Sequence, residues 1–216
     1  MNRSRKPEHP KSRVARLLAR WDAELPPALA QDQARLKSRR RFLSQVTGAA
    51  AAGGLLPVFA RTKEQPAAGG EAVLKEPWLT ISLVQEQLFP VGKDSPGAKD
   101  VNAIGYLQAM LAAPGVDPED RDFIVKGVDW LDGVSNERLQ KPFKKLGVEQ
   151  REQVLKRIAR SHAGENWLSL LMLYIVEALL ADPVYGGNPG GIGWKWLRHQ
   201  PGFPTPPTNK KYWMLG

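Results

Sequence analysis

Through the second half of the chain, apolar residues recur every three or four positions, the interval at which a helix turns one face toward a core. Residues 79–89 place Ile81, Val84 and Leu88 on one side and meet Pro90 and Gly92, so a helix is expected to stop there. Residues 98–113 carry Val101, Ile104, Leu107 and Leu111 at the same interval and end at Pro114-Gly115, which predicts a second helix. Asp117-Pro118-Glu119-Asp120 supplies a capping side chain, a first-turn proline and first-turn acids for a third, running to about Leu131 with Ile124, Val128 and Leu131 inward. A break is expected at Asp132-Gly133, then a weaker stretch over 137–146, then an amphipathic helix over 148–160 through Val154, Leu155 and Ile158. Residues 166–181, with Trp167, Leu170, Leu171, Leu173, Ile175 and Leu179, are the most apolar and are expected to form the central helix. No segment alternates with period two between turn signals. The expected fold is all-α, a small bundle of five or six helices.

The pattern breaks at both ends. Beyond Asp182 the chain holds seven Gly, six Pro and six aromatics, a composition that cannot continue a helix and is too aromatic for a solvated tail. Such an arm must lie on something. It docks on a partner, through Tyr185, Asn188, Trp194, Trp196, Phe203 and Trp213, or it folds over its own bundle; composition favours neither.

At the other end, Ser38-Arg39-Arg40-Arg41-Phe42-Leu43-Ser44 precedes an uncharged run, residues 46–60, closing on Val58-Phe59-Ala60. This order of basic, apolar and small-residue segments is that of an export leader with a cut expected after Ala60. Arg39 and Arg40, one arginine ahead of Phe42-Leu43, resemble the twin-arginine signal, which a receptor reads. Fifteen helical residues reach about 22 Å, short of a hydrocarbon core of about 30 Å, so a permanent span is not expected. Further upstream, Val14, Leu17, Leu18, Trp21 and Leu25 recur among Arg13, Arg16 and Arg20. That pattern suits a basic amphipathic helix for a membrane face or a chaperone, but the preferred reading is an extended leader front with no role of its own. The organisation expected is therefore a leader over 1–60, a Pro/Ala/Gly-rich linker over 61–76, a helical domain over 77–181 and the irregular arm over 182–216.

Charge changes the picture only after it is divided. The net charge of the 216 residues is +9. Residues 1–63 hold 14 Lys and Arg against 4 Asp and Glu, whereas residues 64–216 hold 17 against 18. The basic excess belongs to the leader, and nucleic acid is not an expected partner of the domain.

Candidate chemistry is sparse. The chain has no cysteine, which removes disulfides, thiolate metal sites and covalent attachment of a c-type haem. The glycine-rich run 186–193 follows a helix and has Trp196 where a dinucleotide fingerprint needs its third glycine. His9, His162 and His199 lack a ligand set, and His162 with Ser161 and Glu165 reads as a helix end rather than a nucleophilic site. No catalytic, cofactor-binding or metal-binding residue is expected.

Asp182-Pro183-Val184-Tyr185-Gly186-Gly187-Asn188, followed by Gly193-Trp194 and Pro201-Gly202, resembles the C-terminal signature of the gluconate 2-dehydrogenase subunit 3 family. Leu88-Phe89-Pro90 and Ser95-Pro96-Gly97-Ala98 are similar to that family's first-helix and loop positions, so the likeness covers most of residues 78–204. The resemblance implies a non-catalytic small subunit of a periplasmic or membrane-held flavin-dependent dehydrogenase for sugars, sugar acids or alcohols. It implies a large subunit that holds FAD and lacks its own export signal, and often a cytochrome c subunit with haem. With the twin-arginine translocase as a further partner, the leader would carry the folded large subunit across by co-export. The alternative is a stand-alone periplasmic enzyme or small-molecule binding protein with a pocket around Tyr185, Asn188, Trp194 and His199.

Overall fold

The protein is seen in a computed structural model that describes residues 12–27, 29, 74–202, 207, 211 and 214. Among the described residues, seven α-helices run in the order α1 (Arg13–Ala23), α2 (Trp78–Leu88), α3 (Ala103–Leu111), α4 (Pro118–Leu139), α5 (Val148–Ile158), α6 (His162–Leu180) and α7 (Ile192–Leu197). Three 3-10 turns complete the elements, and there is no strand among the described residues. The all-α expectation is met.

Helix α6 is the hub. It packs against α1, α2, α3, α4 and α7, and Trp167, Leu171 and Ile175 along it are fully buried. Its start is earlier than the apolar pattern suggested, because Ser161 accepts a hydrogen bond from Gly164 N at 3.1 Å and caps a first turn that is itself not strongly apolar. Its end falls just before Asp182-Pro183, where proline disfavours a helical residue before it.

Two local expectations change. Asp132-Gly133 does not interrupt α4, which continues to Leu139 because Leu131, Val134 and Ser135 are buried and outweigh the cost of about 1 kcal/mol for an interior glycine. The chain then reverses at Gln140, φ 54°, and is tied back: Ser135 Oγ donates to the Lys141 carbonyl at 2.6 Å and Phe143 N donates to Asp132 Oδ1 at 2.7 Å. This seats Phe143 in the core. Helix α3 is also shorter than expected, since residues 98–102 form turns ending in a left-handed Asn102, φ 51°.

The largest departure is α1. The sequence pattern gives residues 13–25 no role of their own and starts the helical domain at 77, whereas α1 packs on α4 and α6 as part of the same core. Trp21, 1 % exposed, stacks on Trp130 with ring centroids 6.2 Å apart and meets Trp167 edge-on at 6.0 Å. Leu18 and Leu29 are buried beside it. Asp22 Oδ1 accepts from Ala163 N at 2.8 Å, adding a second cap to the start of α6. The apolar stripe of residues 14–25 thus faces the bundle. The pattern alone does not say which surface an amphipathic helix will cover.

Candidate functional site

A second, smaller core joins the C-terminal half of α6 to residues 98–106 and to the arm. Ala98, Val101, Tyr106, Ile175, Ala178 and Leu179 form it, and Tyr185, Ile192, Trp196 and Leu197 of the arm pack onto it. Of the two placements left open for the arm, residues 182–199 adopt the fold-back over their own bundle.

Asn188 is the knot that holds it. The residue is fully buried with a left-handed backbone, φ 49°, a conformation that Asn tolerates better than most side chains. Its Nδ2 donates to the Ala181 carbonyl at 3.0 Å, its Oδ1 accepts from Gly193 N at 2.7 Å, and its backbone N donates to the Val101 carbonyl at 3.0 Å. One side chain therefore joins the end of α6 to the start of α7, while its backbone stitches the arm to the loop before α3. Asn102 completes the seam, donating from Nδ2 to the Gly186 carbonyl at 2.6 Å. The turns of residues 98–102 that shortened α3 are what receive the arm.

Close approach explains two glycines of the signature. A Cβ on Gly187 would lie 2.8 Å from the Ala178 carbonyl oxygen, and one on Gly193 would collide with the Leu179 carbonyl oxygen. Asp182 Oδ1 accepts from Val184 N at 3.0 Å and starts the 3-10 turn Pro183–Tyr185. The signature residues thus build the arm's attachment.

This placement corrects Asn188 as a partner-contacting residue: it is buried and its side chain is committed within the chain. It also removes Asn188 from the pocket imagined with Tyr185, Trp194 and exposed His199. Tyr185, Trp194 and Trp196 are half-buried, so each keeps part of its ring at the surface. Trp194 Nε1 donates to the Leu180 carbonyl at 2.7 Å, and Trp196 lies against Phe89 with centroids 6.1 Å apart. Leu180 is itself 42 % exposed and Val91, two residues beyond Phe89, is 72 % exposed. The arm and its flanks thus present aromatic and aliphatic surface held in fixed orientation, the composition found at hot spots of protein interfaces. Phe203 and Trp213, and Arg39, Arg40, Phe42, Leu43 and Ala60 of the expected leader, lie outside the described residues.

Sequence reasoning missed Asn102 and Trp130 as members of these interfaces. An Asn beside a Gly-flanked turn is the kind of signal that marks a left-handed position, but nothing local tells that its amide reaches a carbonyl 84 residues away.

Among the described residues three titratable groups are shifted from their ordinary values. Burial pushes the Tyr174 hydroxyl up to about 12 and raises the Asp132 carboxyl, the latter partly offset by the hydrogen bond from Phe143 N. At Glu76, burial acts upward but hydrogen bonds from Lys144 and Thr80 prevail and hold its carboxyl below the ordinary value. Glu76 pairs with Lys144 at 3.1 Å, Asp132 is half-buried beside Phe143 N, and Tyr174 packs against both cores. Among the described residues no group of three or more His, Asp or Glu side chains is arranged to hold a metal ion. Helix α6 is the one described helix long and apolar enough to cross a membrane, and half of its most apolar window is buried inside the bundle.

Comparison with known proteins gives one family. The family model described as gluconate 2-dehydrogenase subunit 3 matches residues 75–202, more than half of the chain. No curated protein and no solved structure matches.

Proposed function

The chain belongs to the gluconate 2-dehydrogenase subunit 3 family, which makes it an accessory subunit of a dehydrogenase complex, and from that membership we propose the finer role that follows. It is the non-catalytic small subunit of a periplasmic, FAD-dependent dehydrogenase acting on a sugar, a sugar acid or an alcohol. The large subunit holds the FAD and carries the chemistry, and a cytochrome c subunit takes the electrons. This chain supplies the export address at Arg39 and Arg40 and a rigid docking face at Tyr185, Trp194 and Trp196.

The observation that carries the reading is the coincidence of the family match with the attachment just described: residues 75–202 enclose α2 to α7 and the knot at Asn188. A chain that orders an aromatic arm so firmly, with no ligand set or nucleophilic constellation among its described residues, is suited to grip a partner. Binding only the native large subunit would also stabilise it by mass action. Twin-arginine carriage of a folded, FAD-loaded partner then needs one leader for two chains.

The test is co-purification and export. The tagged full-length chain should retain a flavin-containing large subunit, and Arg39→Lys with Arg40→Lys should leave that subunit in the cytoplasm. A large subunit still exported without the arginine pair, or flavin and turnover held by this chain alone, would overturn the proposal.

A further inference from the structure

The placement of α1 conflicts with export unless α1 lets go. Helix α1 precedes the arginine pair and the apolar run 46–60, while the bundle follows them. Basic segments flanking an apolar stretch stay on the cytoplasmic side of a membrane. The leader front is basic on balance, with Arg13, Arg16 and Arg20 on α1 and Arg39 to Arg41 beyond it. An exported bundle and its α1 therefore end on opposite sides of a hydrocarbon layer of about 30 Å. Yet α1 is seated against α4 and α6 through a buried Trp21, a carboxylate cap on Ala163 N, an Arg13 to Glu137 ion pair of 3.2 Å and Arg20 lying 5.7 Å from the Trp130 ring centre. Docking and translocation exclude each other.

We propose that α1 is a latch: the helix Arg13–Ala23 seated between Trp130, Trp167 and the start of α6 is the pre-export form of the protein, and its release from that groove is an obligatory step of transport. The groove draws on two helices, since Trp130 belongs to α4 and Trp167 with Ala163 to α6, so it exists only when these have packed together. The latch closes on a folded bundle and on nothing earlier. The match to the family begins at residue 75, so the groove lies within the family's domain and the helix that fills it does not. The inference rests on the export reading above.

The absence of cysteine makes the test clean. Arg13→Cys with Glu137→Cys replaces one exposed ion pair at the edge of the contact, and after folding the two thiols are joined by a short bis-maleimide or capped singly with N-ethylmaleimide. Both forms of the full-length chain are presented to inverted cytoplasmic-membrane vesicles, and protease-protected protein is measured. The capped form should be transported and the bridged form should remain outside, a loss of on the order of tenfold or more. Equal transport of the two would overturn the latch while leaving the export reading intact; failure of the capped form and of the unsubstituted chain together would overturn the export reading and the latch with it. Trp21→Ala, which removes the anchor without a bridge, should raise the undocked fraction on the order of 100-fold and be transported at least as fast as the unsubstituted chain. Slower transport of a folded Trp21→Ala protein would also count against the latch.

Discussion

Replacing Asn188 by alanine tests whether the family signature is an attachment or a contact surface. The substitution removes both side-chain bonds and leaves two backbone groups behind, the Ala181 carbonyl and Gly193 N. They are not equivalent. Ala181 is partly exposed and its carbonyl regains water, whereas Gly193 is buried and its N–H stays orphaned, a loss of about 1–3 kcal/mol. Alanine held in the left-handed region adds about 1–2 kcal/mol. The expected total is about 3 kcal/mol, a large share of the roughly 5–15 kcal/mol of a typical domain. For a chain of this size that lowers the melting temperature on the order of 10 °C. Urea unfolding followed by tryptophan fluorescence measures it directly, as a lower midpoint at unchanged slope. Asn188→Gly separates the two terms, because glycine accepts the backbone conformation and forfeits only the hydrogen bonds; it should recover about 1 kcal/mol. If both variants stay within about 0.5 kcal/mol of the parent, as ordinary surface substitutions do, the attachment argument is wrong.

Other consequences are independent of Asn188. Gly127 sits on α4 under the Trp167 ring, whose Nε1 donates to the Ile124 carbonyl at 2.9 Å; Gly127→Ala should therefore destabilise by about 1–3 kcal/mol although alanine is the better helix former, and a thermal melt at or above the parent's would refute the close packing. Glu76, held below the ordinary glutamate value, contributes stability that is present above about pH 4 and fades as pH falls through its depressed value; Glu76→Gln should cost at most about 1 kcal/mol at pH 7 and nothing in strong acid, as read from urea midpoints across pH. Asp132 runs the other way, since its raised carboxyl favours the native state only as pH falls toward the ordinary aspartate value. Asp132→Asn, which keeps an acceptor for Phe143 N, should stabilise near neutrality and lose that advantage in acid. Trp194→Ala and Trp196→Ala should weaken retention of the large subunit about tenfold or more while the bundle stays folded, and a pull-down indifferent to both would remove the docking face.

The helical bundle was legible because its information is local: Val154, Leu155 and Ile158, or Trp167, Leu170 and Leu171, declare their face by spacing alone. Boundaries were less so, because they depend on distant partners. Residues 98–102 carry helix-compatible residues, yet Val101 and Asn102 are spent on receiving Asn188 and Gly186. Gly133 reads as a break because the burial of Val134 and Ser135, which directly follow it, is a tertiary fact. The aromatic richness of the arm announced that it must be covered, but the covering surface is set by two asparagine amides that no composition reveals. Trp21 was visible as one member of an apolar stripe, while its two indole neighbours lie more than a hundred residues away.

The character of α6 bears on how such a chain is handled before it meets its partner. Nineteen residues long, it is the described helix most miscible with a lipid interior, and the fold wraps it from several directions with α1, α2, α3, α4 and α7. A nascent chain lacking those wrappings would present the bilayer with a ready greasy segment. Packing against five neighbouring helices thus withholds much of this segment from lipid.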